Sequence, residues 1–408
     1  MYIKQKRGDF IMKSVFKKAL ALFCAVCLLL TFAACGGNSD KAGAKNDGYT
    51  ADNTTFKIGV SGPLTGGAAV YGVAVKNAAQ MAIDEINEAG GLDGVKFELL
   101  AYDDVHDATK VEANYAAMYE AGMQLSLGCV TSNPCLEFSA FSADDNVFFL
   151  TPSASNDDVP AEDNAYQMCF ADGNQGGVAA DFVNQNFAGQ TIGVFYKSDD
   201  PYSNGIYEQF KANLDASVTV VETSFSAANE TDFSVQIDTL KDCKFVFMPI
   251  YYTPASIFMT QAKDIMPADA VYNGCDGFDG IDSADGFDIT SIPQAVTMLS
   301  HFNSKAESGA AKEFVDKYVA AYGADTLNQF GASAYDCVYA LYGAMKKAID
   351  EGADIPVDIA ASDLCEILKA QFEGGYTITN AVTGDSITWE STGYVNKTAV
   401  QYVIKEAG

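Results

Sequence analysis

Residues 56–104 read as one complete βαβ unit, and such a unit restricts the chain to an α/β fold with a parallel sheet. Phe56-Lys57-Ile58-Gly59-Val60 is a short apolar strand. Ser61-Gly62-Pro63-Leu64-Thr65-Gly66-Gly67 follows as a loop too rich in Gly and Pro to continue it. Val75, Ala78, Ala79, Ala82, Ile83 and Ile86 then recur at helical spacing, with Lys76, Gln80, Asp84, Glu85 and Glu88 on the opposite face. Gly90-Gly91 supplies a left-handed helix end, and Val95 to Ala101 returns as a strand that runs into Tyr102-Asp103-Asp104. Strand, helix and strand in this order predict parallel pairing through a right-handed crossover. Ligands of such sheets bind beyond the carboxyl ends of the strands, where Ser61 to Tyr71 falls.

The same alternation continues to the C-terminus. Strands are expected at Gln124 to Cys129 and Val147 to Leu150, each running into a polar turn, Thr131-Ser132-Asn133-Pro134 and Thr151-Pro152-Ser153-Ala154-Ser155. Phe170 to Gly177 is polar and Gly-containing, and is expected to end the first lobe. A second series follows: helix Val178 to Asn186, strand Thr191 to Tyr196, loop Asp199 to Asn204 and helix Gly205 to Asp215. Phe245 to Ile250 is a strand ending at Tyr251-Tyr252, and Ala270 to Asn273 one ending at Gly274-Cys275-Asp276-Gly277. Long helices are expected at Ala310 to Tyr322 and Gly331 to Asp350, and terminal strands within Ile387 to Ile404. Polar residues thus collect at strand ends in both halves, the pattern of a cleft between two lobes.

The first 35 residues read as a targeting segment. Lys13, Lys17 and Lys18 precede the apolar run Ala19 to Phe32, and Ala33-Ala34-Cys35-Gly36 resembles the lipobox of bacterial lipoproteins, in which the Cys is lipidated and becomes the mature N-terminus. An ordinary signal peptide cut after Ala34, or an uncleaved anchor, is the alternative; Met12 is an alternative start. Residues 36–55 read as a flexible tether. Residues 1–35 hold six of the 25 basic residues and one of the 54 acidic ones, so the remainder carries 19 against 53, a balance of −34. That charge excludes nucleic acid as a partner. Arg7 is the only arginine of the chain, so an acidic ligand group has to be met by hydroxyls and backbone N–H groups rather than by a guanidinium fork. Such a site suits a zwitterion better than a dianion. Seven cysteines lie beyond Cys35, an odd number with no C-x-x-C pair, and are expected as small buried hydrophobes.

In this order and spacing the segments Ile58 to Gly66, Tyr71-Gly72, Ile83 to Asn87 with Gly90-Gly91, Tyr102-Asp103-Asp104, Thr151 to Ser155, Tyr202-Ser203 and Gly274 to Gly277 resemble bacterial solute-binding proteins of the Leu/Ile/Val-binding type. The resemblance runs from Phe56 to the C-terminus. It implies a type I periplasmic-binding fold: two Rossmann-like lobes with parallel-sheet cores, joined by three crossovers near Phe170–Gly173, Leu299–Phe302 and Ile378–Gly384. The first lobe would comprise 56–172 plus 302–380, the second 173–301 plus 381–408. It further implies that Ser132, Ser153 (through its backbone) and Ser155 hold a ligand α-carboxylate, and that Asp276 meets the α-ammonium. Tyr202 and Tyr251 would close from the second lobe, with Tyr71 lining the side-chain pocket and Tyr335 a weaker match on the late helix. The implied role is the binding component of an ABC importer for a branched-chain or other apolar amino acid: a monomer anchored through Cys35 on the outer face of the membrane, without cofactor, presenting its closed form to a permease. The chain departs from the family at His106 and Thr131, which match the positions of a frequent disulfide, and at Asp276, where some members carry the longer Glu.

Three other readings use the same residues. Catalysis would need more than His106 and His301, which stand in no Ser–His or metal-ligand spacing, and no P-loop or G-x-G-x-x-G motif is present. Asp276, Asp279, Asp282, Asp285 and Asp288 recur every third residue, whereas a calcium loop needs alternate ones. They are expected to form a solvated loop with Asp276 alone turned inward. A sensor acting through a separate signalling partner would use the same cleft.

Overall fold

The computed structural model describes residues 53–408. The expected targeting segment, Cys35 and the tether up to residue 52 lie outside the described residues. The first sheet begins with the predicted unit: β1 (Phe56–Gly62), α1 (Ala69–Glu88) and β2 (Phe97–Asp103). It continues with α2 (Val111–Glu120), β3 (Leu125–Cys129), α3 (Ser132–Asp145), β4 (Phe149–Thr151) and β5 (Ala165–Gln167). The order is β2-β1-β3-β4-β5, parallel throughout. β3, β4 and β5 are buried along their whole length, as strands covered on both faces must be.

The second sheet is built from α4 (Asp172–Asn186), β6 (Thr191–Lys197), α5 (Pro201–Asn213), β7 (Thr219–Phe225), α6 (Ser234–Leu240), β8 (Phe245–Met248), α7 (Tyr252–Ala262), β9 (Val271–Gly274) and β10 (Ala295–Ser300). Then come α8 (Gly309–Tyr322), α9 (Gln329–Asp350), α10 (Ala361–Glu373), the hairpin β11 (Thr377–Ala381) and β12 (Gly384–Thr388), and β13 (Val400–Lys405). The order is β13-β10-β9-β8-β6-β7, with only β13 antiparallel. After β10 the chain returns to the first sheet, where α9 packs along α1. A Cβ at Gly331 would stand only 3.1 Å from the Ala74 carbonyl oxygen.

Two helix starts differ from expectation. α4 starts at Asp172 rather than Val178, and α5 at Pro201 rather than Gly205. Gly173, Gly176 and Gly177 made the first of these look like a loop, but Gly176 is where α4 and α5 touch. A Cβ there would lie 2.5 Å from the Ile206 carbonyl oxygen and 2.7 Å from Phe210 N. Close packing overrides poor helix propensity. In α5, Pro201 sits in the first turn, where its missing N–H costs nothing. The third crossover also moves. Residues 378–384 fall in the β11–β12 hairpin, tied to α9 by Asp336, whose carboxylate accepts the N–H groups of Val382 and Thr383, both at 2.8 Å. Residues 389–393 still lie beside β5, since Trp389 donates to the Gln167 carbonyl and Gln167 N to that of Gly393. The strand that rejoins the second sheet begins only at Val400.

Local hydrogen bonds explain why the first unit is so recognisable. Asn87 clamps the backbone of Phe97 by donating to its carbonyl at 2.9 Å and accepting its N–H at 2.8 Å. Asp103 accepts Leu64 N at 2.8 Å and the Thr65 hydroxyl at 2.6 Å, which fixes the first loop to the end of β2. That loop also lies on α1 at Gly72, where a Cβ would stand 2.1 Å from the Pro63 carbonyl oxygen. Gly72→Ala is therefore expected to destabilise the protein by about 1–3 kcal/mol through forced displacement of this loop. Chemical denaturation measures the loss, and an unchanged midpoint would contradict the close approach.

Candidate functional site

The carboxyl ends of both sheets converge on a small cavity of about 210 Å³ including its mouth. Seven of the eight predicted ligand residues line it: Tyr71, Ser132, Ser153, Ser155, Tyr202, Tyr251 and Asp276, joined by Val130, Thr131, Gly277 and Phe330. None of the lining residues is basic.

The first-lobe wall offers donors. Thr131 is extended and Ser132 opens α3, so the unpaired N–H groups of a 14-residue helix face the cavity. Ser132 Oγ accepts Asn156 N at 3.2 Å, leaving its own proton to donate. Thr151 Oγ1 donates to the Cys129 carbonyl at 2.9 Å and accepts the N–H groups of Ser153 and Ala154 at 3.3 and 3.1 Å, which folds the loop inward. Ser155 Oγ is buried without a partner. A carboxylate is the natural guest of such a wall.

The second-lobe wall offers acceptors. Tyr202 donates to Asp276 Oδ1 at 2.5 Å and accepts Gly277 N at 2.9 Å, while Gln175 Oε1 accepts Asp276 N at 2.9 Å. Asp276 is 2% exposed, and burial pushes its pKa up to about 6 against the opposing pull of the Tyr202 bond. Sequence reasoning missed Asp172. It is fully buried beside Ser155 and Asp276, neither of its oxygens completes a hydrogen bond, and burial pushes its pKa far up. It was hidden in the Gly-rich stretch read as a lobe boundary. Asp276 lines the cavity, Asp172 is buried nearby, and no basic side chain lines the wall, which together favour a cationic group beside Asp276.

Aromatic rings form the remaining walls. Tyr202 and Tyr251 stack with centroids 4.6 Å apart, and Tyr71 meets Phe330 edge-on at 4.9 Å. The Tyr71 hydroxyl also crosses the cleft, donating to the Gly277 carbonyl at 2.5 Å and accepting Tyr252 N at 3.3 Å. Tyr335 is a correction: its hydroxyl donates to Glu85 Oε2 at 2.7 Å, on the far side of α9 from the cavity. The inward position of that helix is Phe330, just past the N-cap Asn328. Asp279 corrects the second expectation for the aspartate run, since it too turns inward and accepts Gln329 N at 2.8 Å. Among the described residues no group of His, Cys, Asp and Glu could hold a metal ion. All seven described cysteines are buried free thiols. His106 and Thr131 are linked, Nδ1 to Oγ1, at 2.9 Å.

The profile of the periplasmic binding protein family matches residues 55–400. The Leu/Ile/Val-binding protein BraC3 of Rhizobium johnstonii is 30% identical over 349 residues, which span 82% of this chain and 91% of that protein. The branched-chain amino acid transporter substrate-binding protein LivJ of Streptococcus pneumoniae, solved with isoleucine, superposes with a TM-score of 0.69 at 25% identity, covering 86% of this chain and 99% of that one. A solute-binding protein of an ABC transporter from Rhodopseudomonas palustris, solved with 3,4-dihydroxybenzoic acid, shares the fold at a TM-score of 0.72 and 18% identity, covering 86% and 93%. These relatives are solute-binding proteins, not enzymes.

The buried acids set a pH dependence. Asp104, Asp200 and Asp276 are each raised to about 6 and Asp279 to about 7, all chiefly by burial. Folded values above the unfolded ones mean that the folded state holds extra protons, and that their stabilisation is lost as pH rises from about 4 to about 7. The ligand-free protein is expected to melt at a higher temperature near pH ~5.5 than near pH ~8. Asp276→Asn should narrow the gap. A melting temperature that climbs over this range would contradict the assignment.

Proposed function

The chain belongs to the periplasmic binding protein family, and on that premise we propose that it is the extracytoplasmic substrate-binding component of an ABC importer, capturing an α-amino acid between its lobes. The observation that carries this reading is the polarity of the cavity. Hydroxyls and a helix N-terminus form one wall, and Asp276 with Tyr202 forms the other. A carboxylate set against the first and an ammonium against the second satisfies both with charge-assisted bonds, and does so without an arginine, of which the chain has none beyond residue 7. Ser132, Ser153 and Ser155 would take the carboxylate, Asp276 the ammonium. Tyr71, Tyr251 and Phe330 would hold the start of the side chain, and these apolar walls support the branched-chain class that the relatives' names suggest. The first lobe would comprise residues 56–172 plus 302–395, with 173–301 and the last strand forming the second. Hinge closure would convert binding into a shape that a permease distinguishes from the open form.

We propose further that Cys35 carries a lipid and tethers the protein to the outer face of the membrane. Among the described residues no helix is long and apolar enough to cross a membrane. Cys35→Ser is expected to move the protein from the membrane fraction to the soluble one, and retention at the membrane would argue for an uncleaved anchor.

The decisive variant is Asp276→Ala. Removing the acceptor leaves a desolvated ammonium with one partner fewer, a loss of about 3 kcal/mol or on the order of 100-fold in affinity. Isothermal titration with leucine, isoleucine and valine reads this directly. Near-native affinity in the variant would overturn the ammonium assignment.

A further inference from the structure

A second chamber lies outward of the cavity, and Tyr251 is the one residue that lines both. Its volume is about 690 Å³ including its mouth, and residues from both lobes wall it. From the first lobe come Val105 and His106, from the second Lys197, Asp200 and Glu230. Its chemistry differs from that of the aromatic cage behind it. Lys197 Nζ pairs with Glu230 at 2.6 Å, which uses one charge of each sign. Burial together with Lys197 pushes the His106 pKa down to about 4, so the ring is neutral at physiological pH. Asp200 is left as the surplus negative charge. It is 4% exposed, and its Oδ2 is buried without a hydrogen-bond partner. The Tyr251 hydroxyl is likewise buried and unpartnered, and Asp200 is the charged group that acts on it most strongly.

The backbone supports a purpose for this chamber. Val105 and His106 are consecutive residues in the left-handed region, at φ 49° and 63°. A β-branched residue there is a genuine outlier, and strain of about 1–3 kcal/mol per residue persists where the fold over-determines it, commonly at ligand clamps. The turn brings His106 against Tyr251, ring edge to ring face at 5.0 Å, while its other contact, Thr131, belongs to the inner cavity. Tyr251 and the His106–Thr131 pair therefore form the partition between the two spaces.

Resting on the reading of an α-amino acid held by its head in the inner cavity, we propose that the chamber beyond Tyr251 is the subsite for the far end of the side chain. It selects side chains that end in an N–H donor, an amide or an amine. The unpartnered groups are one carboxylate oxygen and one phenol hydroxyl. An N–H donor satisfies the first and leaves the second free to accept or donate. A terminal methyl satisfies neither, and a terminal carboxylate is repelled by the surplus charge of Asp200. Branched-chain ligands would fill only the inner space, so the inference extends the class of ligand beyond the one the relatives' names describe.

The test is isothermal titration of the purified protein with ornithine, glutamine, norvaline and leucine. Norvaline has the carbon chain of ornithine without the terminal amine. Ornithine or glutamine is expected to bind about tenfold or more tightly than norvaline, the worth of one charge-assisted hydrogen bond. Asp200→Ser, a residue type suited to the N-cap position that Asp200 occupies in α5, is expected to erase that preference. Asp200→Asn, isosteric and neutral, should lower the preference for ornithine in the same direction, and guards against a folding defect in the first variant. Norvaline and leucine binding as tightly as the N–H-bearing ligands, or a preference untouched in both variants, would overturn the inference while leaving the amino-acid reading intact. Binding of no α-amino acid at all would overturn both.

Discussion

A carboxylate is held inside this molecule by a phenol rather than by a cation, and the arrangement of the cleft follows from that bond. Asp276 is almost fully buried, and Tyr202 donates to it at 2.5 Å. The tyrosine proton is committed to that direction because Gly277 N occupies the hydroxyl's accepting side. One neutral donor does not offset the burial of a charge, which is why the pKa of Asp276 rises instead of falling. The bond also fixes geometry. Tyr202 must enter from the first turn of α5, its ring then stacks on Tyr251, and Tyr251 in turn separates the inner cavity from the outer chamber. The absence of arginine beyond residue 7 is the same fact seen in the sequence. The wall opposite is left to hydroxyls and the open end of α3.

Much of this was legible before the structure, and the reason is chemical. The motifs Tyr102-Asp103-Asp104 and Ile83 to Asn87 stood out because their polar side chains clamp backbone at fixed offsets, as Asn87 does to Phe97 and Asp103 to Leu64. Strand-end serines and tyrosines were legible for a similar reason: parallel strands deliver their carboxyl ends to one edge, so polar residues there share a cleft. What failed was the reading of glycine. Gly173, Gly176 and Gly177 signal a loop by propensity, whereas here Gly176 lets two helices touch, and Asp172 went unnoticed as the first residue of one of them. Tyr335 failed differently. Helical spacing says which residues share a face, but not which face points at the cleft. On α9 that direction is set by packing against α1, which turns Phe330 inward and leaves Tyr335 with Glu85.

Closure itself rests on a small number of polar contacts between the lobes. The Tyr71 hydroxyl reaches the Gly277 carbonyl, Thr253 Oγ1 donates to the Gly67 carbonyl at 2.5 Å, and a Cβ at Gly280 would touch Val70. Set against them is the electrostatic cost of bringing Asp172 and Asp276 out of water together. Each is disfavoured as an anion by burial, and Asp172 also by the charge of Asp276. The closed form can meet that cost by taking up protons or by enclosing a cation. The second route would restore ionic partners that water otherwise supplies. Closure is then coupled to ligand charge more than to the area a side chain buries. On the proposed reading, the buried carboxylates that weaken the empty closed state are the same groups that would make a positive charge the condition for holding it shut.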